Sequence, residues 1–191
     1  VWEYQGAGKD VYFRVWDEDW NAVSAEIGIF GAASAYDYTY PDVVYDNSAS
    51  HRLHVVAWQS STAQIAYRGA TGYGNDATDW SSSFYIATPS LTSEFRLPHV
   101  DAQGDRVLVT WEEVNSSSEV YAWYTYSTTG GITSSNFSSD YYFTVQKWRP
   151  IPVLVNTSSR WYIVCWYDSG TDQFRVMELH TTDPSSSWGY T

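Results

Sequence analysis

The sequence predicts an all-β protein, a β-propeller of about four four-stranded antiparallel blades, which form either a small ring or part of a larger propeller of the six-bladed type. Aromatic residues are abundant, with 17 Tyr, 11 Trp and 7 Phe among 191 residues, and such residues suit half-buried pleated surfaces. The apolar residues do not follow helical spacing over any long stretch. A strand-length apolar run that ends in Trp recurs along the chain.

The recurring runs set the length of one repeat. They end at Trp16, Trp58, Trp111 and Trp166, so that successive Trp residues are 42, 53 and 55 positions apart. This spacing is typical of one four-stranded propeller blade. Such a sheet cannot cover both of its faces alone, so we expect neighbouring copies to stack face to face.

Proline marks the predicted start of a blade upstream of three of these runs, at Pro41, Pro98 and Pro152. Proline is tolerated at the first residue of a strand, where its missing N–H need not interrupt a ladder. We therefore predict a single domain over 1–191, with blades at about 1–40, 41–90, 91–147 and 148–191. The alternative is a meandering β-sandwich in which the Trp spacing is fortuitous.

Composition excludes two classes of partner. The formal charge is −12, from 22 acidic and 10 basic residues, so the chain lacks the basic surface that nucleic acids or anionic membranes require. The acidic residues either keep an aromatic-rich surface soluble or bind cations. No segment is long and apolar enough to cross a membrane. The chain begins at Val1 without a signal peptide, as a processed piece of a longer exported protein would, and we expect it to be secreted or on the cell surface.

Single residues add little to the question of compartment. Cys165 lies in an apolar run and is expected to be a small core residue rather than a nucleophile. Three sequons, at Asn115, Asn136 and Asn156, are possible N-glycosylation sites if the protein enters a glycosylating compartment.

Three short motifs point to a family. Phe95-Arg-Leu-Pro98 resembles the Phe/Tyr-Arg-Ile-Pro motif of sialidases, and Ser127-Thr-Thr-Gly-Gly-Ile-Thr133 resembles their Asp-box. A second Asp-box-like stretch runs from Thr181 through Asp183 to Trp188. The chain thus resembles a degenerate sialidase-like (Asp-box or BNR-repeat) propeller. The resemblance implies that Ser127, Thr181, Asp183 and Trp188 stabilise turns between the third and fourth strands of their blades.

The same resemblance implies that catalysis is lost. Retaining sialidases use an arginine triad, a Tyr nucleophile assisted by Glu, and an acid/base Asp. Only Arg96 matches this set by motif, and no Asp occurs between Asp105 and Asp140. Glu112, Glu113 and Glu119 could provide paired carboxylates, although solvated turn residues are their simpler interpretation. We therefore expect a binding protein rather than an enzyme. If the chain is an enzyme, we expect a glycoside hydrolase of the sialidase type.

Ligand-binding candidates come from aromatic and basic residues at predicted strand ends. Exposed aromatic rings stack on sugar rings, and the candidates for this role, each of which could instead pack between blades, are Trp20, Trp123, Tyr124 and Trp148. Arg68, Arg149 and Arg175 could converge with Arg96 on a central axis to bind an anion. Arg68 and Arg175 alternate with apolar neighbours, however, which suggests an outward or inter-blade location for both.

A weak cation motif follows the first Trp run. Asp17, Asp19 and Asn21 place oxygen ligands at alternate positions, as in the opening of a Ca²⁺ loop, and Ca²⁺ is therefore the one cofactor considered. The motif lacks the usual glycine and a bidentate Glu, so a solvated hairpin turn is the alternative.

Three functions follow from these observations. The first is an extracellular, non-catalytic propeller module for carbohydrate recognition or adhesion. The second is a structural, self-assembling surface or filament protein, because four blades are few for this family and an open blade face must find a partner. In that case the chain would be oligomeric or part of a longer polypeptide. The third is part of a sialidase-like glycoside hydrolase.

Overall fold

The fold is described by a computed structural model over residues 1–5, 9–30, 37–46, 51–88, 94–143, 148–155, 161–167, 173–179 and 189–190. These residues form four antiparallel sheets, each a meander in which strands adjacent in sequence pair. Sheet 1 has three strands and the others have four. This is the arrangement predicted for successive blades.

The strands are numbered in chain order. Sheet 1 contains β1 (Trp2–Gln5), β2 (Lys9–Phe13) and β3 (Ile27–Gly28). Sheet 2 contains β4 (Tyr38–Asp46), β5 (Arg52–Gln59), β6 (Gln64–Thr71) and β7 (Phe84–Ala87). Sheet 3 contains β8 (Glu94–Gln103), β9 (Arg106–Val114), β10 (Val120–Ser127) and β11 (Tyr141–Tyr142). Sheet 4 contains β12 (Trp148–Leu154), β13 (Trp161–Tyr167), β14 (Gln173–Leu179) and β15 (Gly189–Tyr190). Short 3-10 turns, Ala77–Asp79 and Ser134–Asn136, precede the last strands of sheets 2 and 3.

The sheets pack face to face through apolar side chains. Successive residues of a strand point to opposite faces, so β9 serves two interfaces. Val109 and Trp111 pack with Val56 of sheet 2, whereas Leu108 packs with Trp161 of sheet 4. A third cluster joins sheets 1 and 2. Burial of apolar surface at these three interfaces is the main stabilising term of the arc.

The first strand of each sheet lies on the inner side of the arc, because β4 packs against β8 and β8 against β12. Carboxylates join these inner strands. Asp42 accepts a hydrogen bond from the Val100 backbone N–H at 3.0 Å, and Asp101 accepts one from Leu154 N–H at 2.6 Å. Each bond satisfies a backbone donor of the neighbouring blade, and thereby fixes the height of one blade relative to the next.

A bulge recurs near the start of the inner strands of sheets 2, 3 and 4. Pairing with the second strand shifts register between Thr39 and Asp42, between Arg96 and His99, and between Trp148 and Ile151. At each bulge a residue with positive φ precedes a proline; these residues are Tyr40 (φ 51°), Leu97 (φ 49°) and Arg149 (φ 51°). Left-handed backbone is uncommon for residues other than glycine, so the same strained geometry at three equivalent places marks a shared blade feature.

The proline prediction needs one correction. Pro41 and Pro98 occupy the bulge, as does Pro150, but Pro152 pairs with Ile163 further along β12. At the bulge the ladder is already interrupted, so a missing N–H costs nothing there. Pro150 is therefore the residue equivalent to Pro41 and Pro98.

The predicted equivalence of the four Trp residues is wrong for Trp111. Trp58 pairs with Thr39 and Trp166 with Trp148, whereas the corresponding partner of Arg96 is Glu112. The apolar run ending at Trp111 is one residue shorter than the run ending at Trp58, which turns the Trp111 side chain to the opposite face. Trp16 lies beyond β2 in an isolated bridge with Ala22. The sheets repeat, although these Trp residues do not all repeat with them.

Sheet 4 has an apolar face with several exposed side chains. Its exposed side chains are Ile151, Val153, Phe174 and Val176. Val164 lies on this face and aligns with Val56 and Thr110, which are fully buried under the next sheet. Among the described residues, no helix has the length and apolarity needed to cross a membrane.

Candidate functional site

A groove of about 640 Å³ lies at the end of sheet 3 where β8 begins and β9 turns into β10. It opens on the face of sheet 3 that is directed toward sheet 2, since Phe95 and Trp123 belong to the apolar cluster shared by those two sheets. Its walls combine aromatic rings with carboxylates. We call it the sheet-3 groove, and its lining residues are Thr88, Phe95, Glu113, Asn115, Tyr121, Trp123, Asp140 and Tyr142.

The aromatic wall is a stack that runs from the core to solvent. Register places Trp111, Trp123 and Tyr142 side by side on β9, β10 and β11. The Trp123 ring stacks on Trp111 with centroids 6.4 Å apart and on Tyr142 with centroids 4.8 Å apart. Trp111 is fully buried, whereas Tyr142 is 54% exposed. The buried end therefore fixes the orientation of the exposed ring.

Glu113 is held against this wall. Its Oε2 accepts a hydrogen bond from the Trp123 indole N–H at 2.7 Å. Glu113 pairs across the strands with both Phe95 and Tyr121, so the carboxylate lies in the middle of the groove's sheet surface. The interpretation of Glu113 as a solvated turn residue is thus wrong, because Glu113 is the second-last residue of β9 and accepts a hydrogen bond from an indole N–H.

A second carboxylate lies behind Tyr121. The Tyr121 hydroxyl donates to Glu119 Oε2 at 3.0 Å, and the Asn115 side-chain amide donates to the same oxygen at 2.8 Å. Hydrogen bonding to Glu119 raises the pKa of Tyr121 above its ordinary value. These bonds order the β9–β10 turn that forms one rim of the groove.

Asp140 supplies the third carboxylate, immediately before β11. Burial raises the pKa of Asp140 to about 6, because removal from water disfavours the charged form. Within the described residues it makes no hydrogen bond or ion pair. A carboxyl group with this pKa exchanges protons near neutral pH, and groups of this kind are frequent at functional sites.

The carboxylate and the indole that line the groove do not recur at the aligned positions of sheet 2. Register aligns Glu113, Tyr121, Trp123 and Tyr142 with Gln59, Gln64, Ala66 and Tyr85 of sheet 2. Sheet 2 therefore has neither the carboxylate nor the indole at the matching positions. The arrangement is an addition to the blade scaffold rather than a requirement of it.

Of the predicted aromatic candidates, Trp123 lines the groove and Tyr124 does not. Tyr124 is only 4% exposed and stacks on Phe143 in the interface with sheet 4. Its proposal as a sugar-stacking residue is wrong, because neighbouring residues of a strand face opposite sides. Trp148 lies on the inner strand β12 and is partly buried. Trp20 is 80% exposed at the tip of the loop after β2, and its binding role stays a prediction.

The two arginine candidates meet at Glu112. Arg96 Nε donates to Glu112 Oε2 at 2.9 Å, and the Arg149 backbone N–H donates to Oε1 at 2.6 Å. The Glu112 side chain is 3% exposed, so the interpretation of Glu112 as a solvated turn residue is also wrong. This carboxylate therefore pairs with the Arg96 side chain and binds only the backbone of Arg149, and an anion clamp formed by the arginines stays a prediction.

The candidate cation loop forms a turn that satisfies itself. Asp17 Oδ1 accepts hydrogen bonds from the backbone N–H groups of Asp19 and Asn21 at 3.0 and 2.8 Å. The Asn21 amide also donates to Asp17. These bonds, led by the one from Asn21 N–H, lower the pKa of Asp17. No group of three or more His, Cys, Asp or Glu suited to a metal occurs in the part of the chain that is described, and Ca²⁺ binding stays a prediction.

Among the predicted turn residues, Ser127 is the one described. Its hydroxyl accepts hydrogen bonds from Thr129 N–H at 3.2 Å and Gly131 N–H at 3.1 Å, and so stabilises the turn after β10. Thr181, Asp183 and Trp188 lie outside the described residues, as does the sequon residue Asn156.

The other two sequon residues have engaged side chains. Asn115 donates its amide to Glu119, and Asn136 Oδ1 accepts from Thr133 N–H at 3.0 Å. Their glycosylation stays a prediction.

Of the groove residues, sequence reasoning named Trp123 as a ligand contact, whereas Asp140 and Tyr142 received no role. A local signal for the rest of the groove is present in the sequence: Tyr121 and Trp123 alternate on one strand, and Glu113 lies just before the preceding turn. This signal could have identified Glu113 and Tyr121 as lining residues. Tyr142 on β11 and Asp140 immediately before it lie more than ten residues further along the chain, and only the β10–β11 pairing brings them to the groove.

No family model and no curated protein match this chain. Solved structures that resemble it include the Penicillium chrysogenum alpha-L-arabinanase complexed with arabinobiose, with a TM-score of 0.54 and 13% identity. The match covers 95% of this chain and 59% of the arabinanase chain. At this identity the likeness concerns the fold alone. Together with the four antiparallel sheets, it confirms the prediction of an all-β propeller fold.

Proposed function

We propose that this protein is an extracellular, non-catalytic propeller module that binds carbohydrate in the sheet-3 groove. The observation that supports this most directly is the Trp111–Trp123–Tyr142 stack, which presents a fixed aromatic face beside the Glu113 carboxylate. Aromatic faces pack against the C–H faces of sugar rings, while carboxylates and amides accept and donate hydrogen bonds to hydroxyls. The volume of about 640 Å³ lies in the usual range of small-ligand sites.

The structural neighbour gives secondary support. The arabinanase that shares the fold is a carbohydrate-active protein complexed with a disaccharide. Folds host many functions, so this likeness supports a carbohydrate-related role only in general terms. We further infer that the chain is a degenerate relative of the sialidase-like Asp-box propellers, and Ser127, which ties its turn through two backbone N–H groups, supports that relationship.

The experiment is a titration with arabinobiose, cellotriose and N-acetylated chitotriose, preceded by a glycan array. Tyr142→Ala removes the exposed ring of the stack and should weaken binding at least tenfold. Tyr85→Ala is the matched control, because Tyr85 occupies the aligned position of sheet 2 opposite Ala66 and should bind as the unaltered protein does. A blank array and no heat with any of the three sugars would contradict the proposal.

A glycoside hydrolase is the second candidate, and Asp140 is the observation that favours it. A carboxyl group with a pKa of about 6 suits a general acid, and Glu113 in the same groove provides a second carboxylate. Release of fluorophore from aryl arabinosides or sialosides would favour this candidate, provided that Asp140→Asn abolishes it. Binding without turnover would favour the module.

Self-assembly is the third candidate, and it is favoured by the apolar face of sheet 4, on which Ile151 and Val153 are exposed. The face continues the pattern by which sheet 2 packs on sheet 3 and sheet 3 on sheet 4, so its proposed occupant is a sheet from a second copy of this chain. Sedimentation velocity over a concentration series tests this, with Val176→Lys as the variant. A monomer at all concentrations would contradict it.

A further inference from the structure

The charge of the sheet-3 groove is negative and unbalanced. Its described lining includes the carboxylates of Glu113 and Asp140 but no Lys, Arg or His, and Glu119 lies directly behind Tyr121. The whole chain carries a formal charge of −12. A neutral sugar needs hydrogen-bonding groups but no such excess of negative charge.

The aromatic wall strengthens the same preference. The faces of Trp and Tyr rings attract cations through their quadrupoles, most strongly when water is excluded. Trp123 directs its N–H edge to Glu113 and stacks on Tyr142. A positively charged group in the groove therefore meets the exposed Tyr142 ring and carboxylates together.

Asp140 is the group that gains most from such a ligand. It is desolvated, and no described cation or hydrogen-bond donor compensates its charge. Other carboxylates of the inner strands accept backbone N–H groups, as Asp42 and Asp101 do. An ammonium group bound in the groove would supply the missing donor and the missing positive charge.

We infer that the sheet-3 groove selects saccharides that carry a free, protonated amino group, with Asp140 as the ammonium partner and the exposed ring of Tyr142, backed by Trp123, as the stacking surface. This inference rests on the proposed carbohydrate-binding function and specifies its ligand class. A bound metal ion is not required, because the positive charge comes with the sugar.

Binding should also depend on pH. The titratable groups that share the groove with Asp140 are Glu113 on β9, Tyr121 on β10 and Tyr142 on β11. The hydrogen bond to Glu119 raises the pKa of Tyr121, so Tyr121 does not compete with Asp140 for protons in this range. Since Asp140 becomes protonated as the pH falls through about 6, the ammonium should lose its partner there, while the sugar amine stays charged.

The test compares the trisaccharide of glucosamine with its fully N-acetylated form, by calorimetry in about 0.15 M salt, which screens long-range attraction. At pH 6.8 the amino form should bind at least tenfold more tightly than the acetylated form. At pH 5.0, and in Asp140→Asn at pH 6.8, that ratio should fall to about threefold or less. Tyr142→Ala should weaken both sugars.

Glu18→Gln is the control for overall charge, because Glu18 is an exposed loop residue of sheet 1 and its removal changes the net charge as Asp140→Asn does. It should leave the tenfold ratio unchanged. Equal affinity for the two trisaccharides would overturn the inference while leaving the proposed function intact. The inference would also be overturned if Glu18→Gln lowered the affinity ratio of the two trisaccharides as much as Asp140→Asn does, since the preference would then reflect nonspecific attraction to a negatively charged protein. Failure of both trisaccharides and of cellotriose to bind would overturn the proposed function itself.

Discussion

The Trp123 indole N–H donates to the Glu113 carboxylate at 2.7 Å, across the β9–β10 pair of sheet 3. This bond links the stacking surface of the groove to its central charge, so the two cannot move independently. Hydrogen bonds to charged groups are worth about 1.5–3 kcal/mol. The bond therefore orders the groove before any ligand enters, which reduces the entropy cost of binding.

Replacement of Trp123 by Phe should separate stacking from this bond. The ring still packs between Trp111 and Tyr142, but Glu113 loses its donor, so we expect saccharide affinity to fall about three- to tenfold. Trp123→Ala should abolish binding. Titration calorimetry measures both. Equal affinities of Trp123→Phe and the unaltered protein would show that the Glu113 bond has no part in binding.

Asp140→Asn should stabilise the protein at neutral pH. The folded-state pKa of Asp140 is raised, so its contribution to stability is most favourable below the unfolded pKa of about 4 and declines as the pH rises through about 6. Asparagine avoids that cost. Because Asp140 is partly solvent-exposed and water screens its charge, we expect Asp140→Asn to raise the free energy of unfolding by only about 1 kcal/mol at pH 7.5.

Urea unfolding at pH 7.5 and pH 3.5 measures this effect. The two proteins should differ at the higher pH and coincide at the lower one. A destabilised Asp140→Asn at pH 7.5 would mean that the carboxylate has a stabilising partner, and would argue against its assignment as a free ammonium acceptor.

His54 should make the fold acid-sensitive. It is fully buried between sheets 2 and 3, where its Nδ1 lies 2.5 Å from the Tyr67 hydroxyl, and burial lowers the pKa of His54 to about 4. The unfolded chain, with a His pKa of about 6.5, binds the proton more readily. Stability contributed by neutral His54 is therefore complete above pH 6.5 and is lost as the pH falls toward 4, by about 3 kcal/mol.

The variant that tests this is His54→Leu combined with Tyr67→Phe. Leu108 occupies the aligned position of sheet 3, so leucine suits the site, and Phe avoids an unsatisfied hydroxyl. The free energy of unfolding of the double variant should change less between pH 6.5 and 4 than that of the unaltered protein. An identical pH dependence would locate the sensitivity elsewhere.

Glu112 should stabilise the junction of sheets 3 and 4. Its buried carboxylate binds Arg96 and the Arg149 backbone N–H, and a buried charge without its partner is costly. Arg96→Met leaves Glu112 unpaired and should cost about 2 kcal/mol, because the Arg96 side chain is 40% exposed and water partly compensates. The double variant with Glu112→Gln should cost less than the sum of the single changes. Additive losses in chemical denaturation would show that the pair is not coupled.

Sequence patterns predicted the sheets well because strand and turn formation depends on local properties of the chain. The aromatic and β-branched runs, the polar turns between them and the prolines at Pro41 and Pro98 each reflect backbone preferences of a few residues. Trp123 and Tyr124 were both placed at strand ends or loops, whereas both lie within β10, Trp123 partly buried in the groove wall and Tyr124 buried. Only the register of β10 shows that these two side chains point to opposite faces.

The sequence by itself determined that this chain forms consecutive antiparallel sheets whose apolar faces must stack. Tertiary structure decided which residues meet at the end of sheet 3. Glu113 lies on β9, Trp123 on β10 and Asp140 immediately before β11, and a shift of one residue in the pairing of these strands would turn a side chain from the groove to the opposite interface. Trp111 and Glu112 show the same effect, since a run one residue shorter puts a carboxylate where other blades have an indole. Side-chain direction depends on pairing across strands, and that pairing is fixed only when the sheets pack.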